Sequence, residues 1–294
     1  MNLTELTKYP KDKIRSLVGL TPEALAELFL TALPEIERRR QKQQADKPKR
    51  KRKTGGGRKR LLLPYQEILL TLLYLRHNVA FSVVGLMFGV SADVAENTFH
   101  EIVAVLRDLC PANRWDAEKH WTKKEPSWKP DELDTIIIDS FETPIPRPSE
   151  KDKQKAFYSG KKKEPTIKTQ VVTDASGEIQ DIDPGHRGPR ADKRLYEASD
   201  VEAVYPNAKK KADLAYLGLS GVAVPHKKPR NGVLTDEQKA SNQQFSSGRV
   251  HVEHGIRRIK AFRILRDEYR LGTGLFSMIA SATVGLVQLI RLAV

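Results

Sequence analysis

Between residues 61 and 109 the run LLLPYQEILLTLLYLRHNVAFSVVGLMFGVSADVAENTFHEIVAVLRDL reads as helical, with two breaks. Pro64 suits the first turn of a helix reaching about Arg76, Phe81 to Phe88 forms a short second helix, Gly89 makes a turn, and Ser91 caps a third helix to about Leu109. This is the helix-turn-helix pattern, in which the third helix enters a DNA major groove. The first exposed positions of that helix, Ala92, Asp93, Glu96 and Asn97, offer little to phosphate, so Asn97 and His100 are the best candidates for base contact. A structural or dimerising three-helix bundle is the alternative. Upstream, residues 21–44 read as a helix capped by Thr21, with Pro34 expected to kink or split it.

From residue 134 the pattern changes to strands. Ile136, Ile137 and Ile138 read as a buried strand, with Asp139 placed where it leaves the core. An insertion, FETPIPRPSEKDKQKAFYSGKKKEP, precedes a hairpin whose strands, Thr166 to Thr173 and Glu178 to Asp183, flank a turn at Asp174–Gly177. A helix from about Arg190 to Ser199 follows, then a strand closing at Asp213, a short strand in GVAVPHK, and a long helix carrying RVHVEHGIRRIKAFRIL. Three antiparallel strands followed by alternating helix and strand imply an α/β domain with a mixed sheet, an order that resembles the ribonuclease-H-like fold. The chain thus divides into an N-terminal helical segment (1–46), a basic arm (47–60), an all-α helix-turn-helix domain (61–110), a connector holding Trp115, Trp121 and Trp128 (111–133), and the α/β domain (134–294).

Carboxylates at two strand ends and on one rigid helix suit a hard divalent cation, which takes oxygen ligands and drives phosphodiester chemistry without a nucleophilic side chain. Asp139, Asp213 and Glu253 occupy such places, and Arg249 and Lys260 share the helical face of Glu253, so a metal ligand would stand between two phosphate binders. Taken singly, each aspartate also reads as a turn residue, and Glu253 as part of an ion-paired solvent face. His251 and His254 beside Glu253 raise a transition-metal site, but no cysteine accompanies them. Of the other acids, Asp174 is explained by turn chemistry, Asp181 and Asp183 flank a loop, and Asp192 suits the start of the next helix.

Charge points the same way. The 51 Lys and Arg against 37 Asp and Glu give a formal +14, which favours an anionic polymer, although a basic ribosomal or membrane-surface protein shares the trait. Nine of the cations fall between Lys47 and Arg60 with no acid among them. With Gly55–Gly57 inside it, this run reads as a flexible arm in which Lys49, Arg50, Lys51, Arg52, Lys53, Arg58, Lys59 and Arg60 meet DNA phosphates; the alternative is a solubilising linker. Cys110 alone excludes an intramolecular disulfide, and MNLTELTKYPKDKIRSL has no secretory core, so a reducing, cytoplasmic setting is expected. The apolar stretch Gly274 to Ile290 is short for a membrane span and reads as a core helix.

The motifs IIIDSFETPIPRP, AFYSGKKKEPTIKTQVVTD, DPGHRGPRADKRL, KADLAYLG and RVHVEHGIRRIKAFRIL resemble those of DDE transposases of bacterial insertion sequences, in the DDE-superfamily endonuclease group related to Harbinger-type elements. The resemblance runs from about Leu61 to Leu292. It implies that Asp139, Asp213 and Glu253 are the DDE triad, binding two Mg2+ or Mn2+ ions per active site for cleavage and strand transfer. On physical grounds Arg249 and Lys260, with Lys161, Lys162 and Lys163 after Tyr158-Ser159-Gly160, and Arg147 are candidates to hold the DNA backbone near the scissile phosphate; for the lysine run a solvated loop is the alternative. The implied partners are double-stranded DNA, as terminal inverted repeats and target, and a second copy or more of the chain on that DNA; the implied setting is the bacterial nucleoid, with no membrane. Ser246 stands where the family's helix signature often has Tyr, and Phe245 lies one residue earlier. Two other readings are a nuclease of the same fold that does not join strands, and a non-catalytic DNA-binding regulator.

Overall fold

The computed structural model describes residues 8–46 and 59–293. Lys49, Arg50, Lys51, Arg52, Lys53 and Arg58 of the basic run lie outside the described residues. The chain begins with α1 (Lys11–Val18), stopped by Gly19 in the left-handed conformation, and α2 (Pro22–Ala45), whose N-cap Thr21 accepts a hydrogen bond from the Ala24 N–H at 3.2 Å. Pro34 does not split α2, which continues to Ala45. The proline removes the donor that would serve the Leu30 carbonyl, and Leu30 is 73% exposed, so the missing bond lies on the solvent side of α2.

The three helices expected next are present: α3 (Pro64–His77), α4 (Phe81–Phe88) and α5 (Ala92–Leu109). Asn78 and Gly89 end the first two in left-handed geometry, and Ser91 Oγ accepts from the Val94 N–H at 3.3 Å to start the third. The connector holds an unforeseen helix, α6 (Arg114–Thr122), whose N-cap Asn113 accepts from the Trp115 and Asp116 N–H groups. The signal was the cap, Asn-Arg-Trp-Asp, hidden in a stretch too charged to show an apolar period. Trp121 is buried on its inner face.

The sheet is built on β1 (Thr135–Pro144), which continues five residues past Asp139 instead of ending there. Pairing explains the difference: antiparallel β3 (Glu164–Asp174) follows β1 along its length, from Ile136–Asp174 to Pro144–Thr166, whereas parallel β5 (Lys209–Ala212) stops at the Ile138–Ala212 pair. The outer strands are β4 (Ile179–Arg187) beside β3 and β6 (Val222–Ala223) beside β5; α7 (Lys151–Phe157) and β2 (Tyr158–Ser159) fill the insertion. Three antiparallel strands followed by two parallel ones form the mixed sheet of an α/β domain in the ribonuclease-H-like order.

Short α8 (Asp192–Ala198) and α9 (Val201–Val204) cover one sheet face, where Ile136, Ile138, Val172, Tyr196 and Tyr205 form a small core. On the other face Phe141, Ile167, Val171 and Ile179 join a large core that includes α11 (Phe276–Leu292) and runs without a break into α1–α5. Residues 273–292 are apolar and long enough to cross a membrane, yet most are buried inside the protein. The polar residues within them are satisfied there: Thr283 donates to the Ile279 carbonyl, and Gln288 Nε2 donates to the carbonyls of Ile179 and Ala112. At Gly285 an added Cβ would lie 1.9 Å from the Cys110 carbonyl oxygen, so α11 meets the end of α5 at backbone distance. Gly285→Ala is therefore expected to lower the unfolding free energy by about 1–3 kcal/mol through overpacking. Urea denaturation checks this, and an unchanged midpoint would show the approach to be looser.

Candidate functional site

Asp139 and Asp213 come from different strands and meet because β1 and β5 run parallel in register. Each is the residue after the last pair, Ile138 and Ala212, so the two aspartates stand side by side where β5 ends and β1 continues alone on that edge. Asp213 leaves β5 to cap a short 3-10 turn, its Oδ1 accepting from the Ala215 N–H at 2.8 Å. Asp139 Oδ1 accepts from the Ser140 N–H at 2.8 Å.

The long helix α10 (Asp236–Lys260) packs against β1 and β3. It opens on a capping box in which Thr235 and Gln238 exchange hydrogen bonds. From it Arg249 spans to β1, its Nη2 donating to Asp139 Oδ2 at 3.2 Å. Glu253 lies one turn further and is exposed. Among the described residues no three of His, Cys, Asp or Glu, Glu253 and the aspartate pair included, are grouped closely enough as they stand to hold a metal. His251 and His254 are exposed on the same helix. The donors that do meet are oxygen only, the chemistry that suits Mg2+ or Mn2+. Lys260, at the end of the helix, is half-buried over the Phe141 ring at 5.1 Å. Burial, then neighbouring Lys162, holds its ammonium below the usual lysine range.

Beside the pair a cleft of about 360 Å3 is lined by Lys161, Lys162 and Lys260, with Glu142, Lys168 and Asp192 among its other walls. Sequence reasoning missed these last three as site residues. Lys168 is buried between Asp192 at 3.1 Å and Glu142 at 4.0 Å, and Ser140 Oγ donates to Asp192 at 2.7 Å. A lysine in the middle of a hairpin strand, KTQVV, was the available signal, because a buried lysine needs an acid.

The remaining candidates are scattered. Lys161, Lys162 and Lys163 are exposed at the turn between β2 and β3; Arg147 donates to Gln154 beyond the end of β1. Asn97 is exposed on α5, and His100 is half-buried against Phe99 with Glu96 at 3.7 Å. Lys59 and Arg60 are both exposed, and Arg60 is paired with Glu67 and Glu101.

Electrostatics at the pair are unfavourable to a bare carboxylate. Burial holds the Asp139 carboxyl above the usual range and Asp213 adds to the rise, while the Ser140 N–H and Arg249 oppose it. A carboxyl whose folded-state pKa is raised stabilises the fold below its unfolded value and loses that contribution as pH rises. With chelator present, Asp139→Asn is expected to be more stable than the parent at pH 7, the two converging below about pH 4, the ordinary aspartate range. Unfolding curves at both pH values test this; a less stable variant at pH 7 would mean that the Arg249 contact outweighs burial.

Comparison with known proteins extends this geometry. A family model described as DDE superfamily endonuclease matches residues 138–288, and one described as helix-turn-helix of DDE superfamily endonuclease matches residues 59–112. A probable transposase for insertion sequence element IS702 of Microchaete diplosiphon is 33% identical over 219 residues, covering 73% of this chain and 76% of its own. A putative transposase for insertion sequence element IS112 of Streptomyces albus G is 26% identical over 79% of this chain and 81% of its own. The crystal structure of a pre-cleavage Mos1 transpososome aligns over 84% of this chain and 86% of its own at 11% identity, but a TM-score of 0.18 carries no argument. Because the first match spans more than half of the chain and takes in both aspartates and α10, the chain belongs to the DDE superfamily of endonucleases, with that superfamily's helix-turn-helix ahead of its sheet.

Proposed function

We propose that the chain is a DNA transposase that cleaves at transposon ends and joins them to target DNA by in-line phosphoryl transfer, with Asp139, Asp213 and Glu253 as its catalytic acids. The observation that carries this reading is the pair of aspartates side by side where the parallel pairing of β1 and β5 stops, faced by a helix that bears Arg249 and Glu253. Two Mg2+ or Mn2+ ions held by the three carboxylates would supply Lewis acidity and an activated water or 3'-hydroxyl. Everything else falls to the chain's own groups. Arg249 balances the buried charge of Asp139, and its fork of donors suits a phosphate equally well. Arg147, Lys161, Lys162, Lys163 and Lys260 hold the backbone of double-stranded DNA near the scissile bond. Residues 61–110 dock the terminal repeats through α5, with Asn97 and His100 reading bases, while Lys49–Lys53, Arg58 and Lys59 add phosphate contacts. Residues 134–294 carry out the chemistry, in an assembly of two or more copies that pairs the ends.

Purified protein with Mg2+ and DNA bearing the element's terminal repeats should yield joined strand-transfer products; nicks alone would reduce the reading to a nuclease, and binding alone to a regulator. Asp139→Asn, Asp213→Asn and Glu253→Gln should each lower cleavage by at least about 100-fold while DNA binding persists, since loss of a ligand outweighs loss of a group supporting one. Undiminished cleavage by Asp139→Asn would show the triad to be wrong. Lys161→Ala and Lys162→Ala should each weaken DNA binding across all sequences and reduce the salt slope of log K by about 1.

A further inference from the structure

Beyond Ile138 the strand that carries Asp139 has no β5 neighbour, so the backbone bearing the first aspartate needs support on that side from elsewhere. Side chains alternate along β1: Asp139 reaches Arg249 on α10, and Ser140 points the other way, toward α8. There its hydroxyl donates to Asp192 Oδ1 at 2.7 Å, and the same oxygen takes the ammonium of buried Lys168 at 3.1 Å. Lys168 also donates to the Arg190 carbonyl at 2.8 Å, which ties the loop before α8 to β3. The Ser140 N–H donates to Asp139 Oδ1 at 2.8 Å. One continuous chain of bonds therefore runs from Lys168 through Asp192 and Ser140 to the Asp139 carboxylate.

A second observation points to the same place. Tyr216, in the turn after Asp213, is 1% exposed, and its hydroxyl has no hydrogen-bond partner among the described residues. Burial, then the charges of Asp192, Asp139 and Asp213, push its ionisation up.

We infer that Asp192 is a positioning residue: through the Ser140 hydroxyl it holds the β1 backbone, and with it the Ser140 N–H, in the one arrangement that aims Asp139 at a shared divalent cation. The inference rests on the reading of Asp139 and Asp213 as metal-binding. Asp192 itself is engaged by Ser140 and Lys168 and acts on the ion only through them. Groups that orient a ligand in this way matter to affinity because they remove the ligand's freedom to turn away when the cation is bound.

The test is Mn2+ binding to the full chain, followed by electron paramagnetic resonance and calorimetry, alongside melting temperature. Ser140→Ala keeps the Asp192–Lys168 pair and cuts only the link to β1. It should weaken Mn2+ binding by about 10-fold at an unchanged melting temperature, whereas Ser140→Thr, which keeps a hydroxyl, should bind as the parent does. Asp192→Leu leaves buried Lys168 with Glu142 at 4.0 Å as its only carboxylate and is expected to unfold more easily, so Lys168→Met/Asp192→Leu, which removes both charges and the acceptor of the Ser140 hydroxyl, is the informative companion. That double variant, in which Glu142 keeps its hydrogen bond from the Thr166 hydroxyl, should remain folded and show the same loss of Mn2+ affinity as Ser140→Ala. Parent-like Mn2+ affinity in Ser140→Ala or in the double variant would overturn the positioning role. If Asp139→Asn also binds Mn2+ as the parent does, it is the metal-binding reading of the aspartate pair that fails.

Discussion

The structure depends on how the two edges of β1 are paired. On one side antiparallel β3 holds the strand to its end at Pro144; on the other, parallel β5 lets go after Ile138. An aspartate placed earlier would be shut between neighbouring strands and covering helices, where an unpaired carboxylate is too costly to ionise. Placed later, it would have no partner carboxylate at its level. The release point puts Asp139 and Asp213 together at the margin of the core, one supported by Arg249 and the Ser140 N–H, the other by the turn it caps.

The same strand separates two cores. The small one beneath α8 and α9 supplies the wall from which Asp192 reaches Ser140. The large one joins α11, the far face of the sheet and the N-terminal helices into a single apolar body that continues across the connector expected at residues 111–133. Helix α6, Gln288 and the close approach at Gly285 bind the helix-turn-helix to the sheet, so the DNA-reading and cutting parts of the proposed transposase share packing.

Cations in this chain serve two ends. Glu67, with a side chain 2% exposed, takes Arg40 at 2.5 Å and Arg60 at 3.1 Å, and Glu101 takes the same two arginines. A buried ion pair of this kind adds little net stability over an apolar substitute, but losing one partner leaves a buried charge, so the network fixes α2 and the end of the basic run against α3 and α5. Arg60 is thus structural in its contacts, although the +14 composition alone would assign it to DNA.

Much of the architecture was legible because local chemistry decides it. Thr21, Ser91 and Gly89 set helix ends through caps and left-handed turns; the isoleucine run gave β1, and the Asp174–Gly177 turn gave the hairpin. The spacing of Arg249, Glu253 and Lys260 on one helix was readable as well, since helical periodicity needs no tertiary information. What local chemistry could not supply was where each side chain finds its partner. That Pro34 is tolerated depends on the solvent side of α2, that β1 outlasts Asp139 depends on β3, and that Arg60 is paired depends on Glu67 and Glu101. Lys168, Asp192 and Ser140 lie far apart along the chain and meet only when α8 closes over the sheet. The sequence by itself determined the elements and the acids they carry, because these follow from neighbours within a few residues. Only the tertiary structure decided which acids face one another and which cations are already taken, because burial and charge pairing are settled between residues distant in the chain.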